Sequence, residues 1–186
     1  MAALDLIAAG FGGQGILFLG EVLAWAAVLE GKNATWLPSY GPEQRGGTAT
    51  CTVVVAGGTI GSPVVADPEV LVAMNGPSLD KFAPRVRPGG LVIVDASMVD
   101  RPVARSDVRV VRVDAVAQAA ALGDVRMANM VLLGALLAAV PVVSLDAVKR
   151  VLADQFPPPN EALAAANVKA VTGGMAASRG AAQPLR

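Results

Sequence analysis

Histidine is absent from the 186 residues, and cysteine occurs once, at Cys51. Without histidine there is no Ser-His or Cys-His pair to activate a nucleophile, and no imidazole for a haem or a local zinc site. A lone thiol can neither close an internal disulfide nor hold an iron–sulfur cluster. Charge is scarce too: charged residues make up 16% of the chain, and fifteen basic side chains balance fifteen acidic ones. That balance gives no electrostatic case for nucleic acid or an anionic membrane. Any redox or acyl-transfer chemistry near this chain therefore needs a reactive centre supplied by another molecule.

Apolar residues make up 54% of the chain, many of them alanine and valine, which suits tight helix–sheet packing. A surface this poor in charge also points to burial against partner chains. The length fits one domain with a substantial core. No positively charged region precedes Lys32, as a secretory signal would require. The most apolar run, Met127 to Val143, is interrupted by Asn129 and Pro141 and falls short of the ~20 residues of a bilayer span. A cytoplasmic protein is the expectation, in agreement with an unpaired cysteine.

Leu4, Ile7, Ala8 and Ala9 form a buried strand that leads into Gly10-Phe11-Gly12-Gly13-Gln14-Gly15. Ile16 to Glu30 has a helical rhythm, with Gly31 as its natural stop. Strands are expected at 33–37, ended by Pro38, and at 49–56, 69–74, 91–94 and 108–113. Helices are expected from Asn75-Gly76-Pro77-Ser78 to Phe82, then at 114–122, 127–140, 144–155 with Ser144 as N-cap, and 160–177. The alternation implies an α/β fold: a single-domain sandwich over residues 1–178, its mainly parallel sheet covered by helices, with a Rossmann-like glycine turn after the first strand. Residues 179–186 read as a flexible tail.

Gly10, Gly12 and Gly15 satisfy G-x-G-x-x-G between a strand and a helix, the setting in which backbone N–H groups and the helix dipole can face a phosphate. The alternative is that these glycines only let the first helix pack close to the sheet. An NAD site would also want an acid after the second strand; Trp36-Leu37-Pro38-Ser39 supplies none before Glu43. The segment from Ser39 to Thr48 reads as a glycine-rich loop on the same edge, where Arg45 could bind phosphate or carboxylate or else pair with Glu43. Cys51 alternates with Val53 and Val55 and reads as core. Asn129 is either glue between helices or the lining of an interface or channel. Asp95, at a strand's carboxyl end, is either a ligand group or a cap.

Five motifs in order carry a family resemblance over about residues 4 to 177. They are Gly10-Phe11-Gly12-Gly13-Gln14-Gly15-Ile16, Ser39 to Thr48 with Pro42-Glu43-Gln44-Arg45-Gly46-Gly47, Gly61-Ser62-Pro63, Asn75 to Phe82, and Asn129-Met130-Val131-Leu132-Leu133-Gly134. Together they resemble the gamma subunit of 2-oxoacid:ferredoxin oxidoreductases, with the Pro-Ser-Leu-Asp-Lys-Phe form nearest the 2-oxoglutarate branch (2-oxoglutarate synthase). Gln44 departs from that branch and is similar to the Gln-Arg-Gly-Gly of the indolepyruvate enzymes.

The resemblance implies a non-catalytic component of a hetero-oligomer. Its partners would be alpha and beta subunits, optionally a ferredoxin-like delta subunit, with ferredoxin as acceptor of the complex. Thiamine diphosphate, magnesium and iron–sulfur clusters of the 4Fe-4S type would belong to those partners. Coenzyme A, the acyl acceptor, would lie near this chain, at Gly10, Gly12, Gly13, Gln14 and Gly15 and at Ser39, Tyr40, Glu43, Arg45, Gly46 and Gly47. An independent NAD-type dehydrogenase domain and a purely structural assembly subunit are the alternatives.

Overall fold

A computed structural model describes residues 4–41, 47–179 and 182–183. β1 (Leu4–Phe11) runs into the glycine turn and α1 (Ile16–Leu29) follows. The chain then makes β2 (Asn33–Tyr40), β3 (Thr48–Ala56), β4 (Val70–Ala73), α2 (Gly76–Phe82), β5 (Leu91–Asp95) and β6 (Arg109–Val113). The last third is helical: α3 (Ala115–Ala121), α4 (Ala128–Ala139), α5 (Leu145–Gln155) and α6 (Glu161–Ser178). Ala182–Gln183, in the segment read as a loose tail, adds a short strand β7 antiparallel to β6.

The sheet order is β2-β3-β1-β4-β5-β6-β7. β1, β4, β5 and β6 pair in parallel, and β2 points the same way because β3 is antiparallel to both β1 and β2. The sheet is thus mixed and mainly parallel. Its departure from a Rossmann arrangement is local, since β3 is inserted between β1 and β2. Pro38 does not end the second strand as its chemistry suggests; β2 continues to Tyr40. β2 is an edge strand, where a residue without an N–H is tolerated.

Alternation along the strands divides the core in two. Leu4, Leu6 and Ala8 face a large cluster built with α1, α3, α4, α5 and α6. Ile7 and Ala9 face a smaller one with Leu79 and Phe82 of α2, Val65 and Val99. Small residues set the closest approaches. A Cβ on Gly20 of α1 would stand 2.5 Å from Cys51 Sγ of β3. Cys51 is fully buried and its thiol is pushed up to about 12 by burial, so it is inert packing in this setting.

Caps close the helices where the sequence indicates. Ser144 Oγ accepts from Ala147 N (3.1 Å), Asn75 Oδ1 accepts from Ser78 N (2.8 Å), and Gly31 leaves α1 at φ 75°. Asp95 is the cap of the two alternatives. Its Oδ1 accepts from Ser97 N (3.0 Å) and from Ala115 N at the start of α3 (3.1 Å), while burial pushes its carboxyl above the ordinary range. Among the described residues no helix is long and apolar enough to cross a membrane.

Glu30 fastens the end of α1 to the start of α5, accepting from Ser144 N (2.7 Å) and from Lys32 Nζ (2.7 Å). Burial raises its pKa, but these hydrogen bonds and the Lys32 charge outweigh it and hold the carboxyl at about 2. A folded-state value below the unfolded one stabilises above the unfolded value near 4.5 and loses that contribution as pH falls towards 2. Glu30→Gln is therefore expected to lower stability at pH 7 by about 1–2 kcal/mol, after allowing for solvent screening. The gap between the two proteins in urea unfolding should shrink between pH 4.5 and 2.

Candidate functional site

The glycine turn lies at the carboxyl edge of the parallel strands, between β1 and α1. Its glycines divide by what surrounds them. A Cβ on Gly10 would meet Gln14 Oε1 at 2.6 Å, Ile16 at 3.0 Å and Met74 at 3.2 Å, and one on Gly15 would meet Asn129 Nδ2 at 2.4 Å. These two glycines are needed for packing. Gly13 has φ 95° and Gly15 φ 73°, a region that favours glycine. Gly12 is different: among the described residues a Cβ there would find only Gly47 O, at 3.9 Å. The fold leaves that position open to an incoming group.

Gln14 folds back over the end of β1. Its Oε1 accepts from Phe11 N (2.6 Å) and from Asn75 Nδ2 (3.3 Å). Asn75 also caps α2, so one pair of amides ties the turn to α2. From the helical layer, Asn129 Nδ2 donates to Gly15 O (3.0 Å). That is the glue role for Asn129. Gly15 is the N-cap of α1 and among the described residues no side chain caps that helix, so its first N–H groups keep their partial positive charge facing the turn.

Of the second predicted segment, Gly47 joins the turn, its carbonyl accepting from Gly12 N (3.0 Å). Ser39 and Tyr40 do not sit in a loop. They belong to β2, in register with Thr50 and Ala49 of β3, which in turn lie opposite Ala9 and Gly10 of β1. Tyr40 is thus two strands from Gly10, about 10 Å away at the spacing of neighbouring strands. Glu43, Arg45 and Gly46 lie outside the described residues.

A cleft of about 360 Å³ opens on the helical side of the turn. Phe18 in the first turn of α1, Phe156 after α5, Leu122, Met127 and Leu163 form its apolar wall; Asn129 joins it to the turn, and Arg126 lies at the rim. Phe18 and Phe156 meet edge to face at 5.8 Å. Arg126 is mostly exposed and paired with Asp124 (2.6 Å). Sequence reading missed this cleft, because Phe18, Leu122, Phe156 and Leu163 each look like ordinary members of an apolar helix face.

The strand order bears on ligand type. In a dinucleotide fold the strand beside β1 is the parallel β2, whose end supplies the ribose acid. Here the neighbour is the antiparallel β3, and its first residue, Thr48, pairs with Phe11. Among the described residues, the strand beside β1 therefore differs in direction from that of a dinucleotide fold.

Comparison with known proteins agrees with this geometry. Residues 5–177 match the family model described as pyruvate ferredoxin/flavodoxin oxidoreductase. The chain is 38% identical over 160 residues to the 2-oxoglutarate synthase subunit KorC of Methanothermobacter thermautotrophicus, covering 82% of this chain and 85% of the relative. It is 49% identical over 130 residues to the ketoisovalerate oxidoreductase subunit VorA of Methanothermobacter marburgensis, covering 70% of this chain but only 27% of that much longer relative. A keto/oxoacid ferredoxin oxidoreductase gamma subunit from Geobacter sulfurreducens superposes with TM-score 0.86 at 28% identity, over 98% of this chain and all of the other. A 2-oxoglutarate:ferredoxin oxidoreductase from Magnetococcus marinus, solved with 2-oxoglutarate, coenzyme A and succinyl-CoA bound, shares the fold with TM-score 0.89 at 24% identity, over all of this chain and 32% of the other. Over nearly its whole described length, then, the chain belongs to the pyruvate ferredoxin/flavodoxin oxidoreductase family, as a domain of the gamma-subunit type.

Proposed function

We propose that this chain works as the gamma component of a multi-subunit 2-oxoacid:ferredoxin oxidoreductase, binding coenzyme A and holding the complex together. The observation that carries this reading is the family match across residues 5–177 together with a KorC relative of almost the same extent. The complex would convert a 2-oxoacid and coenzyme A to the acyl-CoA and carbon dioxide, passing the electron pair to ferredoxin. Thiamine diphosphate, magnesium and iron–sulfur clusters would be held by alpha and beta partners, since this chain has no histidine and one buried cysteine.

The turn suits coenzyme A. Among the described residues the face of Gly12 is open to close approach of a pyrophosphate, and the start of α1, which none of their side chains caps, supplies donors. The neighbouring cleft offers apolar walls to the rest of the molecule and Arg126 at its rim to a phosphate. In this reading the protein's own contribution is to bind and orient the thiol carrier, while decarboxylation proceeds on the partners. The 2-oxoacid is then chosen outside this chain: the Pro-Ser-Leu-Asp-Lys-Phe motif favours 2-oxoglutarate, and the VorA likeness favours ketoisovalerate.

Partner contact is supported at the sheet's free edge, where Trp25, Val28 and Leu29 of α1 and Trp36, Leu37 and Tyr40 of β2 are exposed. Tryptophan and tyrosine are the residues that dominate interface energetics. Affinity purification of the tagged chain from its own host is expected to bring down a thiamine-diphosphate subunit and to reduce ferredoxin with one 2-oxoacid, dependent on coenzyme A. Assay with 2-oxoglutarate and with ketoisovalerate decides the branch. A chain that elutes alone would overturn the reading.

A further inference from the structure

We infer that Asn129 is a positioning residue for the glycine turn: it grips the Gly15 carbonyl and so aims the Ile16 N–H at the bound coenzyme A. This deepens the coenzyme A reading above and rests on it. Asn129 is 4% exposed, on the otherwise apolar helix α4, and donates to Gly15 O from 114 residues away in the chain. The contact is tight on two sides. The amide nitrogen hydrogen-bonds the carbonyl at 3.0 Å, and it also occupies the space that a Cβ on Gly15 would need, 2.4 Å from that position. Gly15 O simultaneously accepts from Leu19 N (3.1 Å), the first bond of α1. Both acceptor sites of this one carbonyl are therefore used.

The consequence lies in peptide geometry. A trans peptide is planar, so the carbonyl of residue 15 and the N–H of residue 16 are antiparallel and cannot turn independently. Fixing Gly15 O fixes the direction of Ile16 N–H, which as the first N–H of α1 has no intrahelical acceptor and points out of the helix towards the turn. Gly15 has left-handed φ and no side chain, so its own backbone resists rotation of that peptide less than any other residue would. The platform that holds it is stiff: α4 is buried from Ala128 to Leu137 and pressed against α6 at Gly134 and Gly174. Asn129 also faces the cleft beside the turn, so one side chain touches both regions offered to the ligand.

Asn129→Leu is the informative variant, because leucine keeps the branched shape, removes the donor, adds no charge and suits an apolar helix. In the complex that co-purifies with the full chain, its expected effect is a tenfold or greater rise in the coenzyme A Kd by calorimetry. The KM for the 2-oxoacid should stay within about twofold, and the melting temperature should fall by only a few degrees, because Met130 N also loses its bond to Asn129 Oδ1 (2.8 Å). Without any ligand, amide exchange over residues 14–18 should speed up while that of α4 beyond Met130 remains slow. Asn129→Ala serves as the second variant should leucine crowd Gly15. If the wild-type complex binds coenzyme A and both variants bind it equally, or if exchange at the turn is unchanged, the positioning role is wrong and the coenzyme A reading survives. If the wild-type complex binds no coenzyme A, both fall together.

Discussion

Gly174→Ala is expected to be strongly destabilising, although it adds one methyl group. The added Cβ would stand 1.8 Å from Val131 O and 2.7 Å from Val131 C of α4. Those are backbone atoms, so no rotamer change relieves the overlap and the two helices must separate. Overpacking of this kind costs ~3 kcal/mol or more, against ~1 kcal/mol recovered from alanine's helix propensity. For a chain of this size that is a fall in melting temperature of roughly 5–10 °C. Gly134→Ala meets Val171 O at 1.9 Å across the same contact and should behave alike. The double variant should cost less than the sum, since one separation accommodates both. Gly173→Ala is the control from the adjacent residue: among the described residues its Cβ would find only Gln118 Oε1 at 3.7 Å, so it should be neutral or stabilising by up to ~1 kcal/mol. Thermal melts of the variants decide the matter, and a tolerated Gly174→Ala would mean that the α4–α6 contact is looser than described.

Gly12→Val should separate folding from ligand binding. Among the described residues nothing within 4 Å except Gly47 O faces that position, and its φ lies outside the left-handed region, so stability is expected to change by no more than ~1 kcal/mol. A pyrophosphate lying against the turn would meet the new side chain directly. The KM for coenzyme A in the assembled enzyme should rise about tenfold or more, equivalent to losing one charge-assisted hydrogen bond. The KM for the 2-oxoacid should hardly move. Gly15→Ala makes the opposite comparison: it displaces Asn129 and strains a left-handed residue, so it should lose stability as well as affinity. An assembled Gly12→Val complex with wild-type coenzyme A kinetics would leave the turn with a packing role alone.

The parts of this fold that were legible in the sequence are those set by local chemistry. The run of apolar residues into Gly10–Gly15, the Gly31 stop, the Ser144 cap and the Asn75-Gly76-Pro77-Ser78 start each act within a few residues, and each is present. The direction of β3 was not legible, because alternating residues such as Cys51, Val53 and Val55 read the same in parallel and antiparallel strands. Pro38 misled for a related reason: its missing N–H forbids an inner strand and permits an edge, and only the sheet order shows which applies. The same ambiguity decides Ser39 and Tyr40, which a strand ending at Pro38 would leave in the loop. Within the candidate site the glycine pattern was visible, but the sorting of Gly12 from Gly10 and Gly15 depends on how Gln14 folds back and on Met74 and Asn129 side chains brought from distant segments. The cleft likewise assembles from α1, α4, α6 and the end of α5, which no spacing rule connects.

The placement of the aromatic residues has a practical consequence. Both tryptophans and the only tyrosine of the chain lie on α1 and β2, with Trp25 53%, Trp36 36% and Tyr40 71% exposed. Neither buried cluster contains one. The molecule therefore carries its intrinsic ultraviolet fluorophores along one border of the sheet, where their emission reports whether that border is wet or covered. Loss of the interior reaches that signal mainly through Trp36, which packs beside Gly20 of α1; far-ultraviolet circular dichroism follows unfolding independently.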